Sequence, residues 1–179
     1  MNDISLKLKM ENILTSDNKV QMISENLDCF LTLIPELNNM IGFDHKHPHH
    51  HLDVWYHTLE VLNNLNSNDL ELNIAALFHD IGKPYSYQEG EIRHYNGHPE
   101  KSYDLTIKIL TRLGYDNNFI DRVSYLVKYH DSLINPNKLD NDIEMIRKRL
   151  KLQYADALAH HPDKVKKRIL ILDAVRNKI

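Results

Sequence analysis

The chain lacks most of the devices on which small metal-binding or disulfide-bonded proteins are built. Its 179 residues include a single cysteine, Cys29, which excludes a disulfide framework and any zinc finger made of thiolates. Five glycines are too few for a succession of tight β-turns, and strand-like alternation of Val, Ile and Thr between turns is missing. No apolar run approaches the ~20 residues needed to span a bilayer. The opening "MNDISLKLKMENIL" has no apolar block of the signal-peptide kind. The expectation is a soluble cytoplasmic protein with no membrane partner.

Excess charge is absent too. Lys and Arg number 22 against 25 Asp and Glu, a formal charge of −3, which argues against a general nucleic-acid binder. The balance is uneven, however: from Arg147 to Ile179 ten Lys and Arg stand against three Asp and Glu. A basic C-terminal third suits a phosphate-rich partner such as RNA. It equally suits solvated helix faces with cations near helix ends.

What remains is a length sufficient for one domain with a sizeable core and long stretches of 3.6-residue periodicity, which predict an all-α fold. Helices are expected at about 19–29, 30–40, 53–65, 70–80, 99–113, 117–130, 141–160 (with a break in the last) and 163–177. Pro48, "NSND", "GEIRHYNG" and "NPNKLDND" supply the interruptions.

Histidine is the residue in surplus, with twelve copies. Five lie in "HKHPHHH" (45–51) and fall on no helix face; with His94 they read as exposed loop residues or as the mouth of a pocket. Others occupy core-facing positions. His57 follows Val54 by three and precedes Val61 by four, on the stripe Val54, Thr58, Val61, Leu62, Leu65. His79 completes Leu72, Ala75, Ala76 at helical spacing, with Asp80 beside it. His130 completes Ile120, Val123, Val127. Asp156 lies on the stripe Leu152, Ala155, Ala159. His98, between Gly97 and Pro99, stands at or beside a helix N-cap, where the helix dipole disfavours imidazolium and leaves a ring able to ligate.

Each position has an ordinary explanation when taken alone. An inward histidine is usually a satisfied core or capping residue, and Asp156 could pair with Arg147 or Arg149. An unpaired buried carboxylate nevertheless costs several kcal/mol, so buried charges are paired or bind metal. One shared metal centre accounts for His57, His79, Asp80, His98, His130 and Asp156 together.

These residues resemble the signature of the HD-domain superfamily of metal-dependent phosphohydrolases: a His, a His-Asp pair and a distant Asp, all on helices. Here these are His57, His79–Asp80 and Asp156. "HDIGK" is similar to the subgroup named for that wording, and His98 with His130 resembles the extra pair of members that hold two metals. The segments "MIGFDHKHPHHHLDVWYHTLEVL", "AALFHDIGKP", "GHPEKS" and "QYADALAHHP" are similar to the HD domain of bacterial tRNA nucleotidyltransferases, the CCA-adding enzymes. Their nucleotide-transferring head has no counterpart in the segment read here, so CCA addition is not carried over. The Gly-Tyr-Pro motif of cyclic-di-GMP hydrolases and the Glu-Asp pair of alarmone hydrolases find no clear match, which leaves the substrate open.

The resemblance implies an organisation: N-terminal helices over 1–40 packed on the core, an HD metal-binding core over 41–162, and a C-terminal helix of the same domain over 163–179. It implies a phosphohydrolase acting on a nucleotide or RNA-derived phosphate ester through a metal-activated water. The expected cofactor is a pair of divalent transition-metal ions drawn from Fe, Mn, Ni, Co and Zn. One ion is expected on His57, His79, Asp80 and Asp156, with Asp80 bridging to a second on His98 and His130. Asp80 and Lys83 are the expected catalytic residues, Lys83 as a phosphate contact unless it is a solvated loop lysine. The competing readings are a non-catalytic or regulatory module and an RNA-associated accessory domain docking through the basic C-terminal third.

Overall fold

In the computed structural model, residues 3–46, 52–135, 137 and 142–178 are described, apart from the side chains of 162–164. Among them nine α-helices form: α1 Asp3–Leu14, α2 Lys19–Glu25, α3 Leu27–Leu33, α4 Val54–Leu65, α5 Leu70–Phe78, α6 His98–Arg112, α7 Asn117–Lys128, α8 Ile143–Ala159 and α9 Pro162–Arg176. Short 3₁₀ turns cover Pro35–Asn39 and Lys83–Tyr85. No strand forms among the described residues; two isolated bridges, Asp44 with Asp53 and Gln88 with His94, are the nearest approach. The all-α expectation holds.

The helix starts follow capping chemistry. Asp53, Asp69, Asp116 and Asp142 each accept the backbone N–H three residues on, at Tyr56, Leu72, Phe119 and Met145. Each such cap contributes about 1 kcal/mol. α8 runs unbroken where a break was expected, while the expected helices 19–29 and 30–40 become three shorter elements. Asn26 leaves helical geometry at φ −124° between α2 and α3, and Pro35 keeps Ile34 out of the helical region because its ring crowds the preceding residue.

The helix α1 is absent from the expected set. Its Leu6, Leu8 and Met10 alternate with Lys7 and Lys9, which hides the helical stripe of buried Met10, Ile13 and Leu14. It packs on α3 and α5, and Asn73 Nδ2 donates to the Leu14 carbonyl at 2.8 Å.

Around this framework α4 packs against α8 and α5, α5 against α7, and α7 against α6. The main core draws Phe30, Leu37, Leu62, Leu72, Phe78, Ile109, Val127 and Leu152 into one cluster, all fully buried. Truncating one of its leucines to Ala would cost about 2–5 kcal/mol. A smaller cluster of Ile134, Ile146, Leu150, Leu172 and Val175 seats α9 on α8. The four helices α4, α5, α7 and α8 therefore meet around one buried polar island, closed on another side by the first turn of α6.

Candidate metal centre

The island consists of His57, His79, Asp80, His98, His130 and Asp156, all six expected candidates, at 0 to 9 % exposure. They separate into two triads. The donor atoms of His57, His79 and Asp156 lie within 4.8 Å of one another, as do those of Asp80, His98 and His130.

Helix bodies and helix ends position them differently. His57 and Asp156 stand inside α4 and α8. His79 ends α5, and Asp80 lies in the turn that follows, not in a helix extending to residue 80. His98 is the first residue of α6, directly beside its cap Gly97 at φ 79°, the second of the two positions expected for it. His130 lies two residues beyond α7 rather than in its last turn.

Local contacts decide how each ring presents itself. Nδ1 of His79 faces the Ala76 carbonyl at 2.7 Å, that of His98 the Tyr95 carbonyl at 2.9 Å, and that of His130 the Val127 carbonyl at 2.6 Å. A carbonyl can only accept, so Nδ1 carries the proton in each neutral ring and Nε2 keeps its lone pair. His98 Nε2 is 3.3 Å from His130 Nε2, two bare lone pairs that repel unless a cation lies between them. His79 Nε2 is 3.4 Å from His57 Nε2, which also lies 3.0 Å from Asp156 Oδ1.

Asp80 connects the triads. Its Oδ2 lies 3.3 Å from His79 Nε2 and 3.7 Å from His57 Nε2. Its Oδ1 lies 3.4 Å from His98 Nε2 and 3.7 Å from His130 Nε2. Neither oxygen receives a well-directed hydrogen bond within the described structure. Lys83 Nζ is 2.7 Å from Oδ2, a contact of proximity and charge rather than of direction. A buried carboxylate with two undirected oxygens facing imidazole lone pairs on both sides fits a place for divalent cations.

The electrostatics agree. Burial alone would raise Asp80, but the charges of His79 and Lys83 hold its carboxyl well below the ordinary range. Asp156 is likewise held down against its burial, by His160 and His57. His79 is held above its usual value despite burial, by Asp80 and Asp156. His130 is pushed down to about 3 by burial and by His79, so its ring stays neutral.

Supporting contacts hold the helix-end members in place. A Cβ on Gly82 would meet Ser102 N at 2.6 Å and the His98 carbonyl at 2.7 Å, and the Gly82 N–H donates to Ser102 Oγ at 2.9 Å. Glycine at this position lets the turn carrying Asp80 rest directly on the first turn of α6. From α8, Arg149 and Gln153 both donate to the Tyr129 and Ser132 carbonyls that flank His130. Arg149 is therefore not the partner of Asp156, which lies 3.0 Å from His57 and 3.9 Å from His160.

Of the two readings open for Lys83, a phosphate contact or a solvated loop lysine, the second does not hold: it is 5 % exposed, between Asp80 and His45 Nδ1 at 3.5 Å. Sequence reasoning missed two features. His45, expected in an exposed loop, is buried with its ring 5.5 Å from that of His57. His160 stands one helical turn after Asp156 with its ring 5.4 Å from that of His57, a position its i+4 spacing in "DALAH" could have signalled. His94 is exposed at the cavity wall, while the other histidines of 47–51 lie outside the described residues.

The island opens into a cavity of about 390 Å³, with Lys83, Arg93, Tyr95, Asp131, Lys167 and Arg168 on its walls. The basic C-terminal third divides accordingly. Lys148 binds Asp69 and Glu71, and Arg176 binds Asp173, whereas Lys167 and Arg168 face the cavity.

A model of the HD domain matches residues 49–174. The chain belongs to the HD-domain family. Members of that family are typically metal-dependent phosphohydrolases, and the two triads of this HD domain are groups that could hold metal ions. The chain is 36 % identical over 104 residues to an A-adding tRNA nucleotidyltransferase of Deinococcus radiodurans, covering 54 % of this chain and 24 % of that protein. It is 34 % identical over 105 residues to a CC-adding tRNA nucleotidyltransferase of Thermus thermophilus, covering 54 % and 24 %. A multifunctional CCA protein of Shewanella frigidimarina is 27 % identical over 120 residues, covering 65 % and 29 %. The chain thus spans about a quarter of the length of these relatives. Among the described residues no helix is long and apolar enough to cross a membrane.

Proposed function

We propose that this HD domain is a phosphohydrolase that cleaves a nucleotide or related phosphate ester at a binuclear metal centre. The observation that carries the reading is the division of Asp80, with Oδ2 toward His57 and His79 and Oδ1 toward His98 and His130. On this reading His57, His79 and Asp156 hold one ion, His98 and His130 hold the other, and Asp80 serves both. The mixed imidazole and carboxylate donors suit Mn, Fe, Co, Ni or Zn. Such ions supply Lewis acidity, lowering the pKa of water toward about 7 and screening phosphoryl charge.

The remaining work falls to side chains of the protein. Lys83, buried at the cavity floor with its ammonium at Asp80, places a fixed positive charge where a phosphoryl oxygen of the substrate would rest. The carbonyls of Ala76, Tyr95 and Val127 keep three imidazoles in the Nδ1–H tautomer and so aim their Nε2 lone pairs inward. Arg149 and Gln153 hold the His130 segment, and Gly82 holds the α5–α6 contact.

The test is metal analysis of the purified protein followed by turnover of p-nitrophenyl phosphate, bis(p-nitrophenyl) phosphate and cyclic nucleotides after reconstitution. About two ions per chain and hydrolysis of at least one ester are expected. Full metal content with no turnover of any ester would favour a regulatory module instead. The names of the relatives also raise an RNA partner. RNA binding that weakens steeply with salt would support that reading, although several cations of the C-terminal third are already engaged within the fold.

A further inference from the structure

The cavity above the metal centre carries more positive charge than one phosphoryl group needs. Of its four Lys and Arg residues, Lys83 is committed to Asp80 at 2.7 Å. Arg93 is committed as well, donating to Glu89 at 2.9 Å and to the Asp44 carbonyl at 2.6 Å, with its guanidinium over the rings of Phe43 and Tyr87. The two on α9 differ. Among the described residues no carboxylate lies within ion-pair distance of Lys167 or Arg168, and the closest polar contact of Arg168 is a 3.4 Å approach to the Asp131 carbonyl.

Their placement is specific. Lys167 is exposed and Arg168 half-buried, and both line the cavity together with Arg93 and Tyr95. Asp131, whose carbonyl Arg168 approaches, directly follows His130. The α9 cations therefore share the cavity with the second triad and stand beside the segment that carries His130. Ile171 is the one aliphatic residue of the lining, and the rest are charged side chains, histidines and Tyr95. A cavity of about 390 Å³ falls in the range of small-ligand sites.

We infer that Lys167 and Arg168 form a second phosphate subsite, and that the substrate is a compact molecule bearing a second phosphoryl group beside the one the metal centre engages. The inference rests on the phosphohydrolase reading for the first phosphoryl group. Arg168 can offer paired N–H donors to phosphate oxygens and Lys167 a mobile ammonium. Together they would choose among phosphate esters by what lies next to the scissile group.

The experiment compares inorganic pyrophosphate with inorganic phosphate as ligands of the metal-loaded protein, by calorimetry and by competition against bis(p-nitrophenyl) phosphate hydrolysis. Wild type should bind pyrophosphate at least tenfold more tightly than phosphate. The double variant Lys167→Ala, Arg168→Ala should lose that preference, while its phosphate affinity, metal content and melting temperature stay near wild type. Lys166→Ala, which removes an exposed cation outside the cavity, should keep the preference. An unchanged preference in the double variant, or an equal loss for both anions, would overturn the subsite. So would a wild type that prefers neither anion while still hydrolysing the diester, and that result would leave the phosphohydrolase reading standing. Pyrophosphate preference lost in the double variant of a protein that turns over no ester would keep the subsite and remove the reading beneath it.

Discussion

The two triads use the same chemistry on different supports. His57 and Asp156 stand in the bodies of α4 and α8, and His79 closes α5; their orientation is inherited from helices packed into the main core. Asp80, His98 and His130 all occupy turns or helix ends, and their orientation depends on particular contacts: Gly82 on Ser102, Gly97 in its left-handed conformation, and Arg149 and Gln153 on the carbonyls around His130. A site on helix bodies is hard to disturb without unfolding the protein. A site on helix ends can be disturbed from outside. The first triad should therefore be the more robust metal site and the second the more adjustable one.

The shared residue gives the largest expected effect. Asp80→Ala removes the carboxylate of the second triad and the oxygen that it turns toward His57 and His79, so metal content should fall toward zero and ester hydrolysis by roughly 10³-fold or more. Retained metal and turnover in this variant would make Asp80 a structural residue and dissolve the comparison.

Next come the members of the second triad. His98→Ala or His130→Ala should lower metal content from two ions toward one and slow hydrolysis by about 10²-fold. The first triad and the fold should remain. His98 does not cap α6, since Gly97 does, so the melting temperature should barely move. Full activity in both variants would show that one triad suffices.

This division also marks how far the sequence could be read. His57 and Asp156 were legible because a helix body repeats every 3.6 residues and its stripe can be counted. His79 sat close enough to the end of α5 for the count to reach it. His98 and His130 are legible at helix ends, His98 beside the Gly97 cap as expected and His130 two residues past the end of α7. Periodicity says nothing about where the last hydrogen bond falls. His45 was invisible: it lies on no helix, and the residues around it are distant in sequence, with the Tyr95 hydroxyl donating to its carbonyl at 2.6 Å and its ring beside those of His57 and Tyr95. Lys83 is a legible candidate from its place after the HD pair, but its burial is not, because a lysine after a helix is solvated unless tertiary structure closes over it. The helix α1 escaped for a different reason, its Leu-Lys alternation imitating a strand while Met10, Ile13 and Leu14 formed the buried stripe.

Acidification should separate the triads by proton competition. His79 lies above its ordinary 6.5 despite burial, held there by Asp80 and Asp156. A folded-state value above 6.5 means that the metal-free ring binds a proton already near neutrality, and this proton must leave before the ion enters. Affinity at the His57–His79–Asp156 site should therefore fall as pH drops through neutrality. His130, pushed down to about 3, stays neutral between about pH 5 and 8 and imposes no such competition on its own site. Metal content after dialysis from pH 8 to 5 in the presence of His98→Ala, which isolates the first site, should decline steadily as pH falls. A flat profile would break this part of the comparison.

A scaffold change beneath the second triad should act without touching a ligand. In Gly82→Ala the new methyl group meets Ser102 N and the His98 carbonyl inside 3 Å, so α6 must retreat from Asp80. Stability should fall by about 1–3 kcal/mol, and affinity for the second ion by about 10- to 100-fold, as for other residues that orient metal ligands. Titration of the metal-free variant should show one site weakened and the other intact.

The matching change beneath the first triad should be the mildest. Asp53 caps α4, four residues ahead of His57, accepting the Tyr56 N–H at 2.7 Å and the Gly42 N–H at 2.9 Å. Asp53→Ala removes both acceptors and should cost about 0.5–2 kcal/mol. For a chain of this length that is a fall of about 2–4 °C in Tm for each kcal/mol lost. His57 should not move, because Val54, Val61 and Leu62 remain fully buried on either side of it and α4 stays packed along α8. Metal content and hydrolysis should therefore match wild type at temperatures well below the transition. If Asp53→Ala instead lost metal as readily as Gly82→Ala, helix-body placement would confer no protection, and the difference between the two triads would lie in their ligands alone.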